Sequence, residues 1–153
     1  GEDLINNGDA DIVALGRQML ADPYFAQKAE TGRADAINTC IGCNQACLDY
    51  IFADRASTCL VNPFAGRELD IVRKKSETPI KLAVVGTGPA GLSAALTAAE
   101  SGHTVTLFEG SSELGGQFNL AKRIPGKEDF DETIRYFRTR LAEENSQAGG
   151  VCR

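Results

Sequence analysis

Cys40, Cys43, Cys47 and Cys59 follow the pattern Cys-x2-Cys-x3-Cys-x11-Cys. One short loop plus one later return can bring four thiolates to a point, which suits a tetrahedral metal site. Four soft sulfur ligands without histidine hold either a [4Fe–4S] cluster or a zinc ion. The difference matters, because a cluster carries electrons and a structural zinc does not. Asn44 and Gln45 place polar groups close to the sulfurs, and donors there raise a cluster's potential. Cys152 has no partner at metal spacing and reads as a free thiol.

About thirty residues downstream lies Gly86-Thr87-Gly88-Pro89-Ala90-Gly91. Alone this pattern is weak. Here it follows the apolar run Lys81-Leu82-Ala83-Val84-Val85, opens a small-residue helix over 89–101, and leads to a second strand, Thr104-Val105-Thr106-Leu107-Phe108, that ends in Glu109. That is a complete βαβ unit with a dinucleotide fingerprint. Gly86 allows the tight turn, Gly88 lets a pyrophosphate approach the backbone, and Gly91 lets helix and strand pack closely. The helix start offers free N–H groups to the phosphates. Glu109 is placed to accept from the adenosine ribose hydroxyls and disfavours a 2′-phosphate, leaving FAD or NAD. Gly115-Gly116-Gln117 adds a second close backbone approach and tips the choice to FAD. A redox cluster beside such a site is an electron-transfer arrangement, which favours iron–sulfur over zinc.

The elements that must position these groups are partly legible. Residues 2–7 read as a helix end closed by Gly8, and Ile12-Val13-Ala14-Leu15 as a short buried strand. Gly16-Arg17 at its carboxyl end suits phosphate recognition at the top of a barrel, although Arg17 fits a surface role as well. A helix is expected from Gln18 to about Glu30, with Asp22-Pro23 able to cap a second start. Residues 39–69 show no period, and 70–79 form a polar linker. Phe130, Ile134, Phe137 and Leu141 recur at helical spacing, so 129–144 form an amphipathic helix. Residues 145–153 break that periodicity. His103 reads as an exposed turn residue.

Net charge is −5 over 153 residues, with basic residues scattered. That excludes a nucleic-acid or anionic-membrane footprint. Arg73-Lys74-Lys75 reads as a solvated linker. No apolar run approaches the roughly 20 residues of a membrane span. The cysteine spacings favour a reduced cytoplasmic metal site over disulfides. The chain opens at Gly1 in what reads as a helix tail, so the expectation is an interior piece of a longer soluble protein.

At the level of motifs the chain resembles the iron–sulfur flavoenzymes related to old yellow enzyme, which include trimethylamine dehydrogenase and 2-enoate reductases. Within them it is most similar to the bacterial NADPH-dependent 2,4-dienoyl-CoA reductases. The likeness rests on the stretch from Gly32 through the first three cysteines to Asp49, on Cys59-Leu60-Val61-Asn62-Pro63, on Gly86 to Gly91, and on the run from Gly115-Gly116-Gln117 to Lys127. It covers residues 1 to about 144.

The resemblance implies an α/β protein containing the end of an FMN-binding TIM barrel (1–38), an irregular cluster loop and linker (39–78), the first βαβ of a Rossmann-like FAD-binding domain (79–144), and an atypical tail (145–153). It implies that Gly16, Arg17 and Gln18 contact the FMN phosphate and that Cys40, Cys43, Cys47 and Cys59 bind [4Fe–4S]. Gly88, Ala90, Glu109 and Gln117, with Gly86, Thr87, Pro89, Gly91 and Gly116 around them, would hold FAD. NADPH would be the electron donor and an acyl-CoA the small-molecule substrate, with neither nucleic acid nor membrane as partner and no oligomeric state implied. The family's substrate-protonating Tyr and His belong to barrel segments outside this sequence, so the chain alone is expected to be inactive.

Overall fold

Residues Lys81–Val85 form strand β1 and Thr104–Phe108 form strand β2, paired in parallel from Lys81 opposite Thr104 to Val85 opposite Phe108. Helix α5, Pro89–Glu100, makes the crossover between them. The other helices are α1 (Glu2–Asn6), α2 (Arg17–Ala21), α3 (Phe25–Glu30), α4 (Leu48–Phe52), α6 (Phe118–Ala121) and α7 (Phe130–Ala148), with a 3-10 turn at Ala34–Ala36. The computed structural model describes residues 1–148; Cys152 lies outside them.

Alternation in the strands decides where the core sits. Val84, Val105 and Leu107 face α5, and Leu92, Ala95 and Leu96 of that helix meet Phe137 of α7. Pro89 opens α5 directly after its N-cap Gly88, where a missing N–H costs nothing. At the other end the Gly102 N–H reaches the Ala99 carbonyl at 2.8 Å and the His103 N–H reaches Ala98 at 3.1 Å, a Schellman closure. Helix α7 buries the stripe its spacing predicts, with Ile134 only 2% exposed. Leu92 is among the largest fully buried side chains. In the full-length protein Leu92→Ala should therefore cost about 2–5 kcal/mol, read as a fall in the urea midpoint.

Three expectations for the flanking segments need correction. Residues 12–15 do not form a buried strand: they lie outside every strand, and Ile12 is 86% exposed. A strand needs neighbours for its N–H and C=O groups, and the sheet of the described residues contains β1 and β2 alone. The helix expected over 18–30 is two helices. Pro23 interrupts it, and the Asp22 side chain accepts the Tyr24 N–H at 3.0 Å at the entry to α3. Helix α7 continues past 144 to Ala148, since Gln and Ala in that stretch favour helix even without an apolar stripe.

The first segment is tied to the nucleotide-binding unit through α7. The Arg135 guanidinium donates to the Ile37 carbonyl at 2.8 Å, to the Thr39 hydroxyl at 3.1 Å and to the Asp35 carbonyl. Arg33 pairs with Glu143. No helix among the described residues is long and apolar enough to cross a membrane.

Candidate functional site: a four-cysteine loop beside a dinucleotide fingerprint

Residues between Asn38 and Cys59 turn back on themselves through local hydrogen bonds around one short helix, α4. Asn44 adopts a left-handed backbone, φ 60°, which an asparagine tolerates better than most side chains. Cys47 is buried and N-caps α4. The Thr58 N–H then donates to the Ala46 carbonyl at 2.8 Å, and this bond returns the chain so that Cys59 joins the loop. All four thiols are free.

Burial pushes the Cys59 thiol pKa up, and the nearby Val61 and Asn62 N–H groups offset part of that rise. The Cys40 and Cys43 sulfurs are close enough to raise it further. The hydroxyls of Ser57 and Thr58, next to it in the chain, are buried without a hydrogen-bond partner, so donors are to spare on this side. No three His, Cys, Asp or Glu side chains among the described residues group tightly enough to hold one metal ion. Four sulfur donors without histidine suit a [4Fe–4S] cluster or a zinc ion alike.

At the fingerprint, Gly91 and Gly116 are required by close approach. A Cβ on Gly91 would stand 2.0 Å from the Gly86 carbonyl oxygen, and one on Gly116 would stand 3.0 Å from the Gly88 Cα. The second glycine loop therefore lies against the first, and the Gly115 N–H donates to the Thr87 carbonyl at 2.9 Å. A Cβ on Gly88 would meet nothing within 4 Å, which leaves that side of the helix start open to a phosphate. Ala90 and Gln117 are exposed at this edge.

Glu109 follows the end of β2, and its carboxylate is engaged within the chain. One oxygen accepts the Thr87 hydroxyl and, at 3.0 Å, the Thr87 N–H; the other accepts the Ser111 N–H at 2.9 Å. Thr87 is expected among the residues around FAD; its hydroxyl is the signal for this lock. The Thr87 hydroxyl first, then the Ser111 and Thr87 N–H groups, hold the Glu109 carboxyl down to about 2 from an ordinary 4.5. A depressed folded value means that the contribution is complete above about 4.5 and is lost as pH falls through about 2. Thr87→Val should move the Glu109 titration up toward 4.5, observable by carbon NMR of the side-chain carboxyl.

Gly16, Arg17 and Gln18 start α2, yet two of their side chains point into the cysteine loop. Arg17 donates to the Asn44 side-chain carbonyl. The Gln18 amide donates to the Asn38 carbonyl and accepts the Cys40 N–H, each at 3.0 Å. Both ends of the Gln18 amide are therefore used within the chain. Sequence reasoning also missed Asp22, 3% exposed. Its carboxylate takes Lys28 at 2.6 Å and the Asn38 N–H at 2.8 Å, fixing the approach to Cys40. His103 is partly buried rather than exposed, and its Nδ1 accepts the Ile80 N–H at 3.3 Å.

Residues 84–153 match the NAD(P)-binding Rossmann-like domain family. Over 129 residues the chain is 43% identical to a metal reductase of Desulforamulus reducens, covering 84% of this chain and 19% of that protein. It is 44% identical over 151 residues to an NADH oxidase of Thermoanaerobacter brockii, covering 97% and 22%. Among solved structures, 2-naphthoyl-CoA reductase in complex with 2-naphthoyl-CoA superposes with a TM-score of 0.91 at 38% identity, over 94% of this chain and 22% of that one. All three relatives are named as oxidoreductases, and the chain spans about a fifth of their length.

Proposed function

We propose that the chain is part of an iron–sulfur flavoenzyme related to old yellow enzyme, in which electrons from NADPH reduce a 2,4-dienoyl-CoA. The observation that carries this reading is the pinning of one four-thiol loop from both sides. Arg17 and Gln18 hold it from the segment assigned to the FMN phosphate, and Arg135 of α7 holds it from the dinucleotide-binding unit. A centre held between two nucleotide sites suits single-electron transfer.

Cys40, Cys43, Cys47 and Cys59 hold the [4Fe–4S] cluster in this reading. Gly16 and Arg17 face the FMN phosphate. Gly86, Thr87, Gly88, Pro89, Ala90, Gly91, Glu109, Gly116 and Gln117 receive FAD. The flavins supply two-electron hydride chemistry and the cluster single-electron exchange; the chain's own residues bind, space and orient them. The domain assignment follows: 1–38 to the end of the barrel, 39–78 to the cluster loop and linker, 79–144 to the start of the FAD domain. Exposed Val85 and Phe108 at the end of the sheet, and exposed Ile12 and Leu15, support burial against further segments of a longer, cytoplasmic protein.

The likeness to 2-naphthoyl-CoA reductase supports a CoA thioester over an amine as substrate. The test is anaerobic purification of the full-length protein and an NADPH oxidation assay with 2,4-dienoyl-CoA, 2-naphthoyl-CoA, cinnamate and a methylated amine in parallel. Turnover on 2,4-dienoyl-CoA well above the other three supports the proposal. Preference for the aryl thioester, the free acid or the amine moves the protein to another branch, and bound flavin without turnover leaves an electron-transfer module.

A further inference from the structure

The backbone that leads into Cys40 is held group by group. The Arg135 guanidinium takes the Ile37 carbonyl at 2.8 Å, Asp22 takes the Asn38 N–H at 2.8 Å, and Gln18 takes the Asn38 carbonyl and the Cys40 N–H at 3.0 Å each. The two Gln18 bonds form a paired bridge of the kind a neighbouring strand would make: one donor and one acceptor, two residues apart. The Asn38 amide adds bonds to Val61 at 2.8 Å and Ala21 at 3.3 Å, so this approach and the Cys59 return share one support.

The bridge also has an electronic consequence. At Cys59 the Val61 and Asn62 N–H groups lie close enough to the sulfur to favour its charged form, the Asn62 N–H also reaching the Cys59 carbonyl at 3.3 Å. At Cys40 the N–H is given to the Gln18 side chain instead. N–H donation to ligand sulfurs stabilises the reduced cluster and raises its potential. Gln18 withholds one such donor on the Cys40 side.

We propose that Gln18 is a positioning residue of the cysteine loop, setting the Cys40 backbone through its paired amide bridge, and that its side chain does not bind the FMN phosphate. The inference rests on the cluster reading above. It ties the α2 segment to the cluster loop directly, so the two sites have one shared wall.

The test uses the full-length protein, purified anaerobically, with Gln18→Leu and Gln18→Glu. Three quantities are read for each: FMN content, iron retained under chelator challenge, and the midpoint potential of the cluster by EPR-monitored titration. Gln18→Leu removes both bonds. It should keep FMN at the wild-type ratio, lose iron roughly 10-fold or more faster, and shift the potential upward as the Cys40 N–H turns to a sulfur. Gln18→Glu keeps an acceptor for that N–H and should return the potential toward wild type while still retaining FMN, which a carboxylate against a phosphate would not allow. Loss of FMN in Gln18→Glu overturns the proposal, and so does an unchanged potential and iron retention in Gln18→Leu. Wild-type protein without iron and sulfide overturns the cluster reading itself, and this inference with it.

Discussion

Full-length protein carrying Gly91→Val should lose FAD almost completely and unfold at markedly lower urea concentration. The first side-chain atom added at Gly91 would stand 2.0 Å from the Gly86 carbonyl oxygen and 3.0 Å from its carbon. Neither is the tip of a flexible side chain, so α5 has to lift away from the turn that follows β1. Overpacking of this kind costs typically about 1–3 kcal/mol, and more where backbone must shift. The same lift misdirects the N–H groups at the start of α5 that would meet the phosphates. Gly88→Ala separates the two effects. Its new methyl group meets no protein atom within 4 Å, so stability should hold while the approach of a pyrophosphate is blocked. Flavin released on denaturation, together with the urea midpoint, checks both variants. Retention of FAD by Gly91→Val would contradict the assignment of this loop.

Single replacement of Cys40, Cys43, Cys47 or Cys59 by serine should give protein whose cluster is lost on exposure to air, because an alkoxide is a harder and weaker ligand for iron than a thiolate. Cys47 should be the most damaging. It is the buried one of the four sulfurs, so a serine hydroxyl there is also taken from water. Cys59→Ser should likewise release the cluster, because the return of the chain through the Thr58–Ala46 bond then brings a weaker ligand to it. Cys152→Ser should retain full iron. The measurement is iron and acid-labile sulfide per chain before and after oxygen exposure. Equal iron in Cys59→Ser and wild type would remove Cys59 from the ligand set.

The sequence announced the βαβ unit with little ambiguity, because three independent signals agreed there. β-branched runs gave β1 and β2, Pro89 and Gly102 bounded α5, and the glycine spacing matched the close approach at Gly91. The stripe on α7 was equally clear, since a 3.6-residue period survives any choice of partner. Residues 12–15 misled, because an apolar run signals burial but not the neighbour that provides it. The cysteine spacing marked a site without giving its scaffold. The supports from Gln18, Asp22 and Arg135 come from residues 22 positions before and 95 positions after Cys40 or nearby, and no local pattern carries such contacts. The position of Glu109 at the end of β2 was legible, whereas its capture by Thr87 depends on a rotamer that spacing does not fix.

The central claim is that the four-cysteine loop carries an electron-transferring cluster, and metal and sulfide analysis of the full-length protein tests it most directly. Anaerobic purification followed by assay of iron, acid-labile sulfide and zinc should give about four irons and four sulfides per chain, with negligible zinc. One tightly held zinc per chain without sulfide would contradict the account and leave the loop a structural staple.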